Sequence, residues 1–171
     1  MKTIKVNDRS EIPNYFTGIV DYLNEDKEWF KNGKQHQEDG PAVEHANGSR
    51  IWYKNGKLHR EDGPAMEFSD GTKQWWVEGK CHRTDGPALE YSDGTKYWFK
   101  DGNRHREDGP AVEYSNETKE WWFEGQYYSN INLNNYVVLD SYQGKYGIMW
   151  YKFFNEDEIF EYPDIPGLIT K

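Results

Sequence analysis

Four histidines recur along this sequence, and an aspartate follows each of them three residues later. The pairs are His36 with Asp39, His59 with Asp62, His82 with Asp85, and His105 with Asp108. An imidazole beside a carboxylate can bind a metal ion or transfer protons. A pair that recurs in every unit of a chain is instead typical of a structural role. We therefore expect each histidine to donate a hydrogen bond to a backbone carbonyl or to its aspartate.

A second set of polar side chains directly follows the histidines. It consists of Arg60, Arg83 and Arg106, with Gln37 at the first of the four positions. A guanidinium group can bind a carboxylate or a phosphate through two parallel hydrogen bonds. We expect these arginines to form a solvated ladder with Glu61, Glu107 or the aspartates. Binding of a nucleotide phosphate is the alternative.

Tryptophans recur at an unvarying spacing, and a second aromatic residue follows each of them. The first column is Trp29, Trp52, Trp75, Trp98 and Trp121, and the second is Phe30, Tyr53, Trp76, Phe99 and Trp122. Such rings can stack on a base or on another planar ligand. They can equally supply the packing of the fold, which is the interpretation that we favour for the first column.

The regular recurrence of these tryptophans indicates a repeat array rather than a globule. Each unit contains two turn signals, such as Asn55-Gly56 and Asp70-Gly71, and Asn-Gly favours a type I′ hairpin turn. An Asp-Gly-Pro segment lies between them, and its proline would interrupt a strand ladder. The remaining short, aromatic and β-branched runs predict two antiparallel strands per unit. No segment shows a helical apolar period.

This arrangement places equivalent residues of neighbouring units roughly 10 Å apart. That separation is too large for one metal ion, whose ligands lie ~2 Å from it. Because side chains alternate along a strand, the two aromatic columns must point to opposite faces of the sheet. We therefore predict an all-β fold, an elongated array of antiparallel β-hairpin repeats in a single twisted sheet, with no metal site and no cofactor.

The pattern from Tyr97 to His105, followed by Gly109, resembles the MORN repeat, a hairpin unit of the same length as the unit found here. The first glycine of that motif matches Gly33, Gly56, Gly79 and Gly102, and its histidine matches His36, His59, His82 and His105. Here arginine or glutamine follows the histidine, and Asp-Gly-Pro-Ala replaces the last pair of glycines. The sequence is thus similar to MORN-like variants in phages, bacteria and giant viruses. The resemblance implies stacked hairpins that act as a scaffold.

The ends of the chain depart from the repeat. Residues 1–28 contain a degenerate half-repeat, and we interpret them as an N-terminal cap. Residues 29–128 hold four units and the start of a fifth. Residues 129–171 include two β-rich runs, 136–139 and 146–154, the second of which contains Tyr146 and Trp150; we predict that they form a C-terminal cap or the specific part of a binding site.

Composition limits the partners. The net charge is −9 and no basic stripe is visible, so we expect no nonspecific binding to nucleic acid. No run approaches the ~20 apolar residues of a membrane span, and the N-terminus lacks the pattern of a signal peptide. A single cysteine, Cys81, fits a reducing compartment. We expect a cytoplasmic protein, acting in the host cytoplasm if a phage encodes it.

These observations predict a non-enzymatic protein that binds a protein partner. The resemblance suggests, more narrowly, a phage protein that blocks a host defence factor. The alternative is a protein that binds a small ligand or a nucleotide, with a deep pocket between the last repeat and the C-terminal segment. A homodimer is compatible with both. The predicted binding residues are Tyr53, Trp76, Phe99, Trp122, Arg60, Arg83, Arg106, Tyr128, Tyr146 and Trp150.

Overall fold

A computed structural model describes residues 1–128, 131–132, 137–144, 147–154, 159–166 and 169–170. The chain is all-β in these parts, apart from one turn of 3-10 helix at Arg9–Glu11. Consecutive hairpins form a long and mostly antiparallel sheet, which confirms the predicted fold class. Its strands, in spatial order, are Thr3–Val6, Gly18–Tyr22, Lys27–Lys31, Val43–Glu44, Arg50–Ile51, Met66–Glu67, Lys73–Gln74, Leu89–Glu90, Lys96–Tyr97, Val112–Glu113, Lys119–Phe123 and Gln126–Tyr128, with Lys34–Gln35 paired to Lys27–Lys31.

The second, third and fourth units each also form a second, smaller hairpin, which we call a side hairpin. The side hairpins pair Tyr53–Lys54 with Lys57–Leu58, Trp76–Val77 with Lys80–Cys81, and Phe99–Lys100 with Asn103–Arg104. Backbone hydrogen bonds join each of them to its neighbour; for example, the Gly79 amide donates to the Leu58 carbonyl. The prediction of two strands per unit is therefore wrong, because a complete unit contains four short strands.

The tryptophan is the position at which the strand changes its partner. The Trp75 amide donates to the Ala88 carbonyl in the long sheet, while the Trp75 carbonyl accepts from the His82 amide in the side hairpin. Between these two bonds the segment from Arg83 to Pro87 leaves the sheet as a loop, since proline cannot donate to a ladder. The loop separates one hairpin into two.

The turns have the backbone conformations that their sequences predict. Both central residues of every side hairpin turn have positive φ, for example 53° at Asn55 and 82° at Gly56, as a type I′ turn requires. The other turn places Gly48, Gly71 and Gly94 at φ values of 90–92°. The fourth unit has Glu117 in this position, at a φ of 68°.

Strand register aligns residues of one kind across the whole sheet. One row alternates in charge at every step, and the adjacent row is largely apolar. The charged row is Lys5, Asp21, Lys27, Glu44, Arg50, Glu67, Lys73, Glu90, Lys96, Glu113 and Lys119. Opposite charges on facing strands stabilise a sheet, and a slip of one residue would exchange its faces. This pattern therefore specifies the register.

Larger apolar clusters lie at the two ends of the array. Val6, Phe16, Val20 and Phe30 form a buried cluster at the N-terminal end. At the other end, Phe123, Tyr128 and Ile165 pack with side chains of a three-stranded antiparallel sheet. That sheet contains Val137–Gln143, Met149–Phe154 and Ile159–Pro163, and a parallel pair joins Ile131–Asn132 to Ile169–Thr170. The positions buried completely in every unit are the alanines Ala42, Ala65, Ala88 and Ala111.

The strained turn of the fourth unit gives a first prediction. Glu117→Gly should raise the free energy of unfolding by about 1 kcal/mol, because a left-handed backbone is costly for a residue with a Cβ atom. Gly71→Glu should lower it by a similar amount, since a Cβ atom at Gly71 meets nothing within 4 Å and only the backbone conformation changes. Urea unfolding measures both. If neither substitution changed the free energy of unfolding, this account of the turn would be wrong.

Candidate functional site

The arginine column lies on the face that carries the charged row, and each arginine covers a tryptophan of its own unit. In the third unit, Cζ of Arg83 is 3.9 Å from the ring centroid of Trp75. Its Nε donates to Asp85 at 2.8 Å, and its Nη1 donates to Glu90 at 2.8 Å and to the Pro87 carbonyl at 3.1 Å. We call this arrangement the arginine clamp.

The second and fourth units repeat the clamp closely. Cζ of Arg60 and of Arg106 lies 4.0 Å from its ring centroid. The partners of Arg60 are Trp52, Asp62, Pro64 and Glu67, and those of Arg106 are Trp98, Asp108, Pro110 and Glu113. The expected ladder is thus correct for the aspartates and wrong for Glu61 and Glu107. Nor are these arginines solvated, because each side chain is only 19–23% exposed.

The clamp explains each residue of the repeated Asp-Gly-Pro-Ala segment. The aspartate and the proline carbonyl accept hydrogen bonds from the guanidinium group. The glycine is needed because a Cβ atom at Gly63 or Gly86 would lie 3.0 Å from Cζ of the arginine. The alanine is fully buried, and its carbonyl accepts from the tryptophan amide.

Arg60 and Arg83 also shift the titration of the aspartates that they bind. Hydrogen bonds from Arg60 and Arg83, and then the positive charges of these groups, lower the pKa of Asp62 and Asp85 below the ordinary value of 3.8. A carboxylate with a lowered pKa in the folded protein stabilises the fold at neutral pH and loses that contribution as the pH falls.

The histidine column connects one unit to the next. We expected each histidine to donate to a backbone carbonyl or to the aspartate of its own unit, and this is wrong for Nδ1, which accepts instead. Nδ1 of His36 accepts from the Asn55 amide at 3.0 Å, in the side hairpin turn of the following unit. His59, His82 and His105 accept in the same way from the amides of Glu78, Asp101 and Glu124. Because Nδ1 accepts, the proton of the neutral ring lies on Nε2. In His36, Nε2 lies 2.8 Å from Oε1 of Glu38.

The opposite face carries the second aromatic column, and we call it the aromatic face. Tyr53, Trp76, Phe99 and Trp122 are all half-buried here. Arg104 connects two rings, since its Cζ lies 5.3 Å from the centroid of Tyr97 and 4.8 Å from that of Trp122. Further ring contacts extend the row in both directions: Tyr91 with Tyr97, Tyr97 with Tyr114, and Trp122 with Tyr127.

Glu120 binds the polar atoms of two rings in this aromatic row, Tyr114 and Trp122. Its carboxylate accepts from the Tyr114 hydroxyl at 2.9 Å and from Nε1 of Trp122 at 2.8 Å. Arg104 lies 3.7 Å from the same carboxylate. The hydrogen bond to Glu120, together with burial, raises the pKa of Tyr114 to about 12. The ring edges are thus fixed while part of their surface remains exposed.

A cleft of about 610 Å³ lies between the last hairpin of the long sheet and the C-terminal sheet. It is lined by Gln126, Tyr127, Tyr128, Trp150, Lys152, Glu161 and Tyr162. Tyr128 packs edge-on against Trp150 at 6.1 Å and against Tyr162 at 5.4 Å. Burial, followed by nearby negative charge, raises the pKa of the Tyr128 hydroxyl to about 12.

The predicted binding residues therefore divide among three places. The arginines lie in the clamps, the second aromatic column lies on the aromatic face, and Tyr128 and Trp150 lie at the cleft. Tyr146 is outside the described residues. Our sequence reasoning did not identify Tyr97, Arg104 or Tyr127 as part of the aromatic face. The alternation of side chains along a strand would have placed Tyr97 and Arg104 there.

Comparisons with known proteins give no further identification. No protein-family model matches the chain, and no curated protein matches it in sequence. In the part of the chain that the structure describes, no group of three or more His, Cys, Asp or Glu residues is placed to hold a metal ion. The same part includes no helix of the length and apolar character that crossing a bilayer requires.

The glycine of the clamp provides a matched pair of substitutions. Gly86→Ala should lower the free energy of unfolding by about 1–2 kcal/mol, because the new methyl group must displace the Arg83 guanidinium. Gly40→Ala should be nearly neutral, since its nearest neighbour would be Cγ of Gln37 at 3.8 Å. Urea unfolding separates the two. Equal effects would show that the guanidinium does not require the glycine.

Asp62 and Asp85 predict a dependence of stability on pH. Their lowered pKa values contribute stability above about pH 5, and this contribution is lost as the pH falls below 3.8. Asp62→Asn combined with Asp85→Asn should therefore flatten the decline of Tm between about pH 5 and pH 2.5. Arg60→Gln combined with Arg83→Gln should flatten the same range. If the dependence of Tm on pH were unchanged in both double variants, the aspartate–arginine contacts would not be the source of this acid sensitivity.

Proposed function

We propose that this protein is a non-enzymatic scaffold that binds a protein partner through its aromatic face and the adjoining cleft. The observation that carries the proposal is the row of rings from Tyr91 to Tyr127, which Arg104 links across two units. Tyrosine, tryptophan and arginine are the residues that contribute most to binding energy at protein interfaces. The row presents them on short strands whose register is fixed by the charged row.

Partial exposure supports this choice of face. Tyr91 is 42% exposed and Tyr127 is 51% exposed, while the rings between them are half-buried. Such rings are held in position before a partner arrives, so little conformational entropy is lost on binding. Tyr127 also lines the cleft, which makes the two surfaces continuous.

The clamp face is less suited to binding a phosphate group. Nε and Nη1 of each clamp arginine already donate to a carboxylate or a carbonyl. Aspartate and glutamate side chains surround each guanidinium, and their charge would repel a phosphate. The tryptophans of the first column in these units already have a guanidinium over one face. These contacts weigh against the nucleotide alternative at the arginine column.

The cleft favours a second candidate, which is the binding of a small ligand. It lies where that alternative predicted a pocket, and Lys152 and Glu161 provide charged groups beside the aromatic rings. A native mass spectrum of the protein purified from cells distinguishes this candidate, because a retained small molecule would add its mass. The narrower proposal of a phage protein that blocks a host defence factor rests on the resemblance to MORN-like variants.

The aromatic face can be tested by partner capture. Tyr91→Ser combined with Tyr127→Ser should reduce the recovery of a specific partner from the lysate of the natural host at least about tenfold, which is the loss expected from a single hot-spot residue. Both side chains are exposed, so the fold should be retained. Thr84→Ala, at an exposed position in a clamp loop, serves as the control and should leave recovery unchanged. If the double variant and the control behave alike, this face is not the interface.

A further inference from the structure

The first unit has every part of an arginine clamp except the arginine. Trp29, Asp39, Pro41 and Glu44 occupy the positions that hold the guanidinium in the next three units, and Gln37 replaces the arginine. Trp29 and Glu44 are half-buried. Arg9 lies 5.8 Å from the ring centroid of Phe30, which points to the opposite face from Trp29, so it does not occupy this place.

The space that the guanidinium fills elsewhere is open in the first unit. A Cβ atom placed on Gly63, Gly86 or Gly109 would lie 3.0–3.2 Å from Cζ of the clamp arginine. A Cβ atom placed on Gly40 would meet only Cγ of Gln37, at 3.8 Å. The shorter glutamine therefore leaves room next to the glycine.

The side chains around this space are those that an arginine requires. In the other clamps the aspartate, the glutamate and the proline carbonyl each accept from the guanidinium, at distances from 2.7 to 3.2 Å. Among the described residues, Asp39 and Glu44 form neither a side-chain hydrogen bond nor an ion pair of the kind that occupies their counterparts. Three occupied copies in the same molecule thus show which group fits the fourth.

We propose that the first unit binds the guanidinium group of an arginine that the protein partner supplies. This inference rests on the proposed function, because it identifies one chemical feature of that partner. The stacked position over Trp29 selects a planar cation, and the acceptors match a fork of donors. A lysine ammonium group has no planar face and no fork, so it is a poorer fit.

A groove of about 610 Å³ beside this position can accommodate the chain that carries the arginine. One wall runs from Gln37 to Pro41, and the other includes Trp52, Lys54 and Arg60. Carboxylates of Glu38, Asp39 and Asp62 line it, which attracts a positively charged segment. The groove opens on the clamp face, so the arginine contact is separate from the aromatic face.

The direct test is a titration with N-acetyl-arginine methylamide, followed by NMR of the tryptophan indole N–H signals. The Trp29 signal should shift and saturate in the millimolar range, as expected for one side chain. N-acetyl-lysine methylamide should need about tenfold higher concentrations to produce the same Trp29 shift, because the loss of a bidentate contact worth about 1.4 kcal/mol reduces affinity about tenfold.

Two variants control the titration. Gln37→Arg supplies the missing side chain, so it should abolish the Trp29 shift and raise the Tm by about 2–4 °C. Asp39→Ala removes an exposed acceptor and should weaken the binding of the arginine compound while the Tm stays within about 2 °C. Arg83→Gln should open a second position and make the Trp75 signal respond to the same compound.

The outcomes separate this inference from the proposed function. Absence of a Trp29 shift, an equal response to arginine and lysine, or a shift that persists in Gln37→Arg would each overturn the arginine site. Partner capture through the aromatic face would be unaffected by those results. Conversely, an arginine-specific Trp29 shift supports the site even if the Tyr91 and Tyr127 variants leave partner capture unchanged.

Discussion

A long sheet whose central strands are only two residues in length has little apolar surface with which to hold itself together, and the arginine clamp compensates for this. A guanidinium group is planar and weakly hydrated, so it can lie on a tryptophan ring while its edge donates to acceptors around it. In the third unit the acceptors belong to the loop, through Asp85 and Pro87, and to the sheet, through Glu90. One side chain therefore connects the ring, the loop and the strand. Loss of the arginine would release all three.

The two ends of the array show what the clamp normally provides. At Trp121 the C-terminal segment contacts the ring in place of an arginine, and Nε1 of this tryptophan donates to the Pro166 carbonyl at 3.3 Å. At Trp29 the glutamine leaves the corresponding space open. The same structural requirement is thus met by an arginine in the middle and by other parts of the chain at one end. The first unit is the exception, which is the reason for expecting a ligand there.

Local sequence signals predicted much of the fold, because turns and alternation depend on neighbouring residues. Asn55-Gly56 predicted a turn with two positive φ values, and the even spacing of the tryptophans predicted stacked hairpins. The roles of His59 and Arg60 were only partly predictable. His59 accepts from an amide nineteen residues away, and Arg60 reaches a glutamate seven residues away that belongs to another strand. Both contacts depend on how the loop folds back, and no local pattern encodes that path.

Periodicity also limits what a repeat surface can recognise. Equivalent residues recur at roughly 10 Å, so a partner that contacted only repeated features could shift by one unit at little cost. Specific binding needs features that occur once. Arg104 is the one arginine in a column whose other members are Gln35, Leu58 and Cys81, and the cleft beside Tyr128 is lined in part by Trp150, Lys152 and Tyr162, which lie outside the repeats. The open position at Gln37 is unique in the same sense, at the opposite end. A partner that contacted both ends would be held in one register, which is the advantage that a rigid array has over a single repeat.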